Sequence, residues 1–242
     1  MTTDTTVPEG YSLGDTRFAV YALPPLDSPL RVLGNAWLGR DPDIDEPVPH
    51  PVVEGLHHER LQQITHAPRQ YSFHGTLKAP FALAAGQESG ALRDAVDAFA
   101  ATQDPFEVRL EVGSIDGFVA LVPAEPSREL DRLAADCVRE LDRFRAPLTD
   151  EERARRRPER LSEKEREHLE RWGYPYVMDA FRFHMTLTGR LDEPEHGRVR
   201  ALLERMFRPV LGEPLWVDQV ALLTQTHRVA PFRVVDRFRF RR

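Results

Sequence analysis

The stretch YSFHGTLKAP, residues 71–80, sets a histidine and a threonine two positions apart in a short apolar segment. About a hundred residues later the chain writes FRFHMTLTGR, residues 181–190, so that Phe73-His74-x-Thr76-Leu77 becomes Phe183-His184-x-Thr186-Leu187. Residues two apart in an extended strand point to the same side. His74, Thr76 and Lys78 are therefore expected on one face, with Phe73, Gly75, Leu77 and Ala79 on the other. In the second copy Arg182, His184, Thr186, Thr188 and Arg190 face one way and Phe183, Met185 and Leu187 the other. Each strand reads as a packing face backed by a polar, titratable face.

Working outward, the same order of elements surrounds both copies. RFAVYALPP, residues 17–25, reads as a strand stopped by Pro24 and Pro25; Leu26, Leu30, Leu33 and Trp37 then recur at helical spacing up to Gly39. A short helix is predicted over residues 53–64, a helix over 88–101, and strands over 106–112 and 117–122. Ser127 caps a helix running to Phe144, with Leu130, Leu133, Val138 and Leu141 inward. After the second motif strand, set at residues 180–190, come a helix beyond Pro194 and strands near 215–224 and 232–240. This pattern predicts a flexible tail over residues 1–16 and a single two-lobed α+β domain over 17–242. The first lobe, about 17–125, carries the His74 motif, and the second, about 126–242, the His184 motif.

Between the halves lies a heavily charged stretch, residues 149–175, in which Thr149 with Glu152 and Ser162 with Glu165 match capping boxes and Pro158 separates two short helices. The arginines at 153–157 could form an anion patch. Their interleaved acids favour a solvated helical face instead.

The chain has 242 residues, 41% of them hydrophobic, with 39 acidic against 33 basic side chains and a formal net charge of -6. Such a molecule repels a long polyanion, so long nucleic acid is not the expected partner. One cysteine, Cys137, excludes an intrachain disulfide framework and reads as a small buried hydrophobe. No leader and no apolar run of membrane-spanning length is visible, which gives a cytoplasmic expectation with no membrane partner. The oligomeric state stays open.

Two imidazoles, two or three hydroxyls and flanking cations around one point suit a phosphoryl group. One histidine would deprotonate water as it attacks phosphorus, and the other would protonate the departing alkoxide. Thr76 and Thr186 would donate to the non-bridging oxygens, a cation such as Lys78 would balance their charge, and no metal or other cofactor is called for. Which histidine plays which part stays open. A metal hydrolase built on His50, His57, His58, His66 and His74, and a non-catalytic binder of a phosphorylated metabolite, are the alternatives.

With both motifs in place, His74-Gly75-Thr76-Leu77 and His184-Met185-Thr186-Leu187, the chain resembles the 2H phosphoesterase superfamily. That resemblance implies a duplicated fold of antiparallel sheets, outer helices and a central cleft. It also implies a metal-independent phosphodiesterase acting on 2',3'-cyclic or 1'',2''-cyclic phosphates or 2',5'-linked nucleotides. His74 and His184 would be its catalytic pair, with Thr76 and Thr186 on the phosphate. RFAVYALPP, NAWLGRD, FHGTLKAPF and RFHMTLTGRL together resemble a bacterial branch described as phosphonate metabolism proteins and encoded near carbon-phosphorus lyase genes. Lys78 follows the first motif as that branch prefers, Tyr21 would line the cleft, and Gly75 stands where the superfamily has a hydrophobe. The expected substrate is a small cyclic phosphate of a nucleotide or ribosyl compound, with an RNA 2',3'-cyclic end as the alternative.

Overall fold

A computed structural model describes residues 16–242; of the predicted tail, residues 1–15 lie outside the described residues. Strand β1 (Arg17–Ala22) is stopped by the two prolines, which cannot donate to a sheet ladder. Helix α1 (Pro29–Leu38) has proline in its first turn, buries Leu30, Trp37 and Leu38, and ends on Gly39 at φ 79°, the left-handed turn that glycine takes without strain. A small hairpin of β2 (Arg40–Asp41) and β3 (Glu46–Pro47) follows. Helix α2 (His58–Arg69) starts later than the predicted 53–64, because Gly55 turns the chain at φ 81° and closes a Val53–Leu56 bridge.

Next come β4 (Gly75–Ala82), α3 (Ser89–Ala101), β5 (Phe106–Val108), β6 (Leu110–Ile115) and β7 (Phe118–Pro123). Helix α4 (Arg128–Leu141) is capped by the Ser127 hydroxyl, which accepts from the Leu130 N–H, and a 3-10 turn extends it to Phe144. Both capping boxes form, on α5 (Asp150–Arg155) and α6 (Glu163–Trp172). The chain continues through β8 (Met185–Thr186), α7 (Glu195–Phe207), β9 (Leu215–Val217), β10 (Gln219–Gln225) and β11 (Arg233–Arg239). Among the described residues no helix is long and apolar enough to cross a membrane.

Seven strands form one antiparallel sheet in the order β11-β10-β1-β4-β8-β7-β6. One face packs the main core, where Phe73, Leu77, Phe183, Met185 and Leu187 meet Leu30 and Trp37 of α1, Leu130 and Leu133 of α4, and Leu203 and Phe207 of α7. The other face carries a small cluster around Ala19, Tyr21, Leu223 and Phe232 and is otherwise open. The architecture is the α+β class expected from the sequence.

Three further details depart from the expectation. The strands do not sort by halves: β10 and β11, late in the chain, flank β1 and β4, whereas β6 and β7, from before residue 125, flank β8. Hydrophobic alternation finds strands but not their neighbours, and here the β6–β7 hairpin pairs with β8 while the β10–β11 hairpin pairs with β1, each across the halves. The predicted strand over 180–190 is reduced to β8, preceded by a 3-10 turn at Met178–Ala180. Its alternation survives, but beyond Thr186 the ladder breaks: the N–H groups of Leu187 and Thr188 both donate to the Val119 carbonyl, while the Thr188 hydroxyl accepts from the Val119 N–H at 3.0 Å.

The third departure concerns Lys78. Tyr21 lies opposite Thr76, yet Val20 lies opposite Lys78, so β4 carries one extra residue between them. A bulge of this kind reverses the side on which the following residues point. Lys78 therefore joins the helix-covered face, 3% exposed, with its ammonium 3.3 Å from both the Val138 carbonyl and the Asp142 carboxylate. It is a tie between β4 and α4, not a phosphate ligand.

Glycine is required where the motif strands meet. Phe183 lies over Gly75, and a Cβ at that position would stand 2.3 Å from the Phe183 ring; Phe73 sits in the same way on Gly34 of α1. Gly75→Ala is expected to lower stability by about 1–3 kcal/mol, the usual cost of overpacking, with partial recovery when Phe183→Leu is added. Denaturant unfolding of the three chains checks this; an unchanged midpoint for Gly75→Ala would mean that the ring is not seated on the strand.

Candidate active site

The motif strands are neighbours, and Gly75 pairs with Met185 in antiparallel register. Antiparallel pairing runs the flanking residues past each other, so Thr76 is carried towards His184 and Thr186 towards His74. All four occupy the face opposite Phe73, Leu77, Phe183 and Met185. An approximate two-fold axis through the Gly75–Met185 pair relates the two motifs.

Both histidines are held in the same way. His74 Nδ1 is 2.8 Å from the Ser72 carbonyl and His184 Nδ1 is 2.7 Å from the Arg182 carbonyl. A carbonyl only accepts, so each Nδ1 carries a proton and Nε2 is the nitrogen left for chemistry. Thr76 Oγ1 lies 3.0 Å from His74 Nε2 and donates to it when the ring is neutral. Behind His74, Ser72 adopts φ 73°, an uncommon backbone setting for a residue with a side chain. Its hydroxyl accepts from buried Arg40, which also donates to the Phe232 carbonyl at 2.6 Å and pairs with Asp45. Tyr21 stacks on the His74 ring at 3.7 Å between centroids, and Phe118 flanks His184 at 5.7 Å.

Burial governs the proton affinity of the pair. His74 is pulled down to about 4, first by loss of solvent, then by the nearby charge of His184, against the opposing bond to Ser72. His184 is also lowered by burial, opposed by the Arg182 carbonyl and the Asp116 carboxylate. Tyr21 is driven well above its ordinary value by burial and stays a neutral donor.

A cavity of about 340 Å³ opens over this face. Of the residues expected there, it is lined by His74, His184, Thr76, Thr186, Tyr21, Thr188 and Arg190. Thr188, however, spends its hydroxyl on the Val119 N–H. Arg182 instead lines an adjoining cavity of about 460 Å³, which shares His184, Phe118 and Tyr174 with the first. Lys78 lines neither.

Several lining residues lay outside the expectation, Arg17, Tyr71, Tyr174 and Arg156 among them. Arg156 comes from the charged stretch read as a solvated face. Its neighbours do pair outward, Arg153 with Glu170 and Arg155 with Glu151, but α5 ends at Arg155 and turns Arg156 over the Tyr174 ring. The helix break at Pro158 was the signal for that turn.

The other histidines do not converge with His74 on one point. His50 Nδ1 bonds the Trp37 carbonyl and its Nε2 meets Arg69, His58 bonds Gln62, and His57 stands at the N-cap position of α2 without a side-chain capping bond. Cys137 is fully buried on α4, its thiol pushed up to about 12, as its reading as a small hydrophobe requires.

Opposed imidazoles and hydroxyls over one cavity define a candidate acid–base site. The chain belongs to the family described as "Protein of unknown function (DUF1045)", whose family model matches residues 76–233. Among curated proteins it is 37% identical over 222 residues to ribose 1,5-bisphosphate phosphokinase PhnN of Janthinobacterium sp. (strain Marseille), covering 90% of this chain and 49% of that one. It is 36% identical over 220 residues to the protein of the same name from Laribacter hongkongensis (strain HLHK9), covering 90% and 50%. The chain thus spans about half the length of the curated relatives it matches.

Among solved structures it is similar to E. coli LigT complexed with NADP+, at 14% identity and a TM-score of 0.42, and to E. coli LigT complexed with 3'-AMP, at 14% and 0.41. Each likeness covers 94% of this chain and 99% of the other.

The buried imidazole has a consequence for stability. His74 binds its proton near pH 4 when folded and near 6.5 when unfolded, so between those values the unfolded chain holds more protons and stability falls as pH drops. The loss attributable to His74 is expected to reach about 3 kcal/mol by pH 4. Urea unfolding at pH 7 and pH 4.5 should show a smaller decline in His74→Gln than in the parent chain. Equal declines would place His74 in solvent.

Proposed function

We propose that this chain is a metal-independent phosphoesterase that hydrolyses a cyclic phosphate or phosphodiester of a small ribosyl or nucleotide compound. The observation that carries the reading is the matched presentation of the two imidazoles. Each is fixed through Nδ1 to the carbonyl two residues before it, which leaves two Nε2 atoms and the Thr76 and Thr186 hydroxyls for one cavity.

In this reading His74, the less basic ring, takes a proton from water as the water oxygen forms its bond to phosphorus. His184, near the Asp116 carboxylate, carries the proton that the departing alkoxide receives as its bond to phosphorus breaks. The hydroxyls of Thr76 and Thr186 turn to the non-bridging oxygens, where negative charge grows. The products are an alcohol and a phosphomonoester, and the two histidines have exchanged protonation states. Loss of Lys78 from the site leaves arginines as its cations, Arg17 and Arg156 among them.

The ribosyl reading draws on the curated relatives, which bear the name of an enzyme of ribose 1,5-bisphosphate. Opening a cyclic phosphate that bridges two hydroxyls of a ribose leaves one phosphomonoester on the sugar, a product of the same class. A role in phosphonate utilisation fits the resemblance of the motifs to the phosphonate-related branch.

A ³¹P NMR panel of ribose cyclic phosphates, 2',3'-cyclic nucleotides and 2',5'-dinucleotides, run with chelator, tests the activity. Turnover of a ribosyl member is expected, reduced by a factor of about 10²–10⁴ in either His74→Ala or His184→Ala. A panel without turnover, or turnover indifferent to both substitutions, would contradict the proposal.

The pH profile is a separate check. The base must be neutral and the acid protonated, so kcat/KM should rise through a limb near pH 4 and fall through one below 6.5. Its maximum is thus expected on the acidic side of neutrality. An acid limb at 6.5 would assign the base to an exposed imidazole.

A further inference from the structure

Of the nine buried or half-buried arginines among the described residues, six are neutralised. Arg31, Arg40, Arg60, Arg145, Arg153 and Arg237, each buried or half-buried, lie within ion-pair distance of a carboxylate. Among the described residues three half-buried arginines have no such partner. One, Arg69, is bonded to the Leu38 carbonyl and His50, away from the cavity. The other two, Arg17 and Arg156, both line the cavity.

Their surroundings hold them in place without cancelling their charge. Arg17 donates through Nε to the neutral amide oxygen of Gln225 at 2.9 Å and lies over the Phe232 ring at 5.7 Å. Arg156 lies over the Tyr174 ring at 4.8 Å. Burial and the like charges of Arg228 and Arg156 together lower the proton affinity of Arg17, so these cations feel one another. Arg228 has a carboxylate, Glu152 at 2.6 Å; Arg17 and Arg156 do not. Withdrawing two like charges from water without an anion between them is costly.

A second observation points the same way. The phenol oxygen of Tyr21 is fully buried, lines the same cavity and has no hydrogen-bond partner. A buried donor left unpaired carries its whole desolvation cost until an acceptor arrives. Along β1, Arg17 and Tyr21 share a face four residues apart, about 13 Å at the usual rise of a strand, and Tyr21 lies opposite Thr76. The cations thus lie to the Arg17 side of the histidines, while the adjoining cavity, which shares His184 but not Arg17, extends elsewhere.

The geometry points to Arg17 and Arg156, with the Tyr21 phenol, as a subsite for a second phosphoryl group: a phosphomonoester carried by the same small substrate whose reacting phosphate lies between His74 and His184. The reacting phosphate rests on the proposed function; the anion subsite rests on the uncompensated cations. A substrate of this class presents two phosphates, one diester that is opened and one monoester that is only held. Planar guanidinium groups suit a monoester dianion, offering several fixed donors at once.

Calorimetric titration with ribose 5-phosphate, ribose and inorganic phosphate tests the subsite without any turnover. Ribose 5-phosphate is expected to bind more tightly than either of the others, and Arg156→Gln or Arg17→Gln to weaken it by about tenfold to a hundredfold. Melting curves of both variants confirm that they fold, and Arg156, at the end of a short helix, is the less intrusive change. In a second arm, kcat/KM is compared for a ribose cyclic phosphate with and without a 5-phosphate; the phosphorylated sugar should be preferred, and the preference should collapse in Arg156→Gln.

Inorganic phosphate binding as tightly as ribose 5-phosphate, with no preference between the two substrates, would reduce the cluster to a free-anion site and overturn the inference. Binding of ribose 5-phosphate that ignores both arginine substitutions would overturn it as well, even if turnover is found. Arginine-dependent binding with no turnover of any cyclic phosphate would uphold the subsite and reject the esterase reading.

Discussion

The pairing of Gly75 with Met185 is the contact on which the rest of the site depends. It sets the register between the only two strands that carry a histidine two residues before a threonine, and antiparallel geometry then places each histidine beside the other motif's hydroxyl. The contact is short, since β8 spans two residues, so it is held from behind by the core. Phe183 lies on Gly75, Phe73 lies on Gly34, and the Trp37 indole donates to the Leu187 carbonyl at 2.8 Å, tying α1 to the second motif. A side chain at position 75 would push the motifs apart at the point where they must meet.

That arrangement explains the electrostatics around it. Backing both imidazoles with backbone carbonyls fixes their tautomer without introducing a carboxylate, and burial then keeps them poor proton acceptors. The protein as a whole carries a formal charge of -6, yet the cavity is lined by arginines and not by acids. Overall charge governs long-range attraction to polyanions, while a few uncompensated cations decide what a small cavity can hold. The two scales point in opposite directions here, and the local one concerns the ligand.

Much of the site was legible in the sequence because alternation in a strand is a strict rule. His74, Thr76, His184 and Thr186 all lie where a period of two and the repeated motif put them, and Tyr21 lines the cavity as the resemblance implied. Lys78 shows where the rule ends: a bulge inserts one residue into β4 opposite the Val20–Tyr21 step, and nothing in GTLKAP announces it. The exchange of hairpins between halves was equally hidden, since β6 and β7 would satisfy their own alternation beside either motif strand. Arg17 and Arg156 escaped for a third reason. One sits at the first position of a strand and the other just past a helix end, and their missing carboxylates are visible only when the chain is folded.

The central claim is that His74, buried, and His184, half-buried, form a matched pair with the proton on Nδ1 and Nε2 unprotonated on both rings. Nitrogen-15 NMR of the histidine side chains, followed through a pH titration, tests it most directly. Both rings should appear as the Nδ1–H tautomer, with His74 titrating near pH 4 and His184 below 6.5. An Nε2–H tautomer at either position, or a His74 midpoint near 6.5, would contradict it.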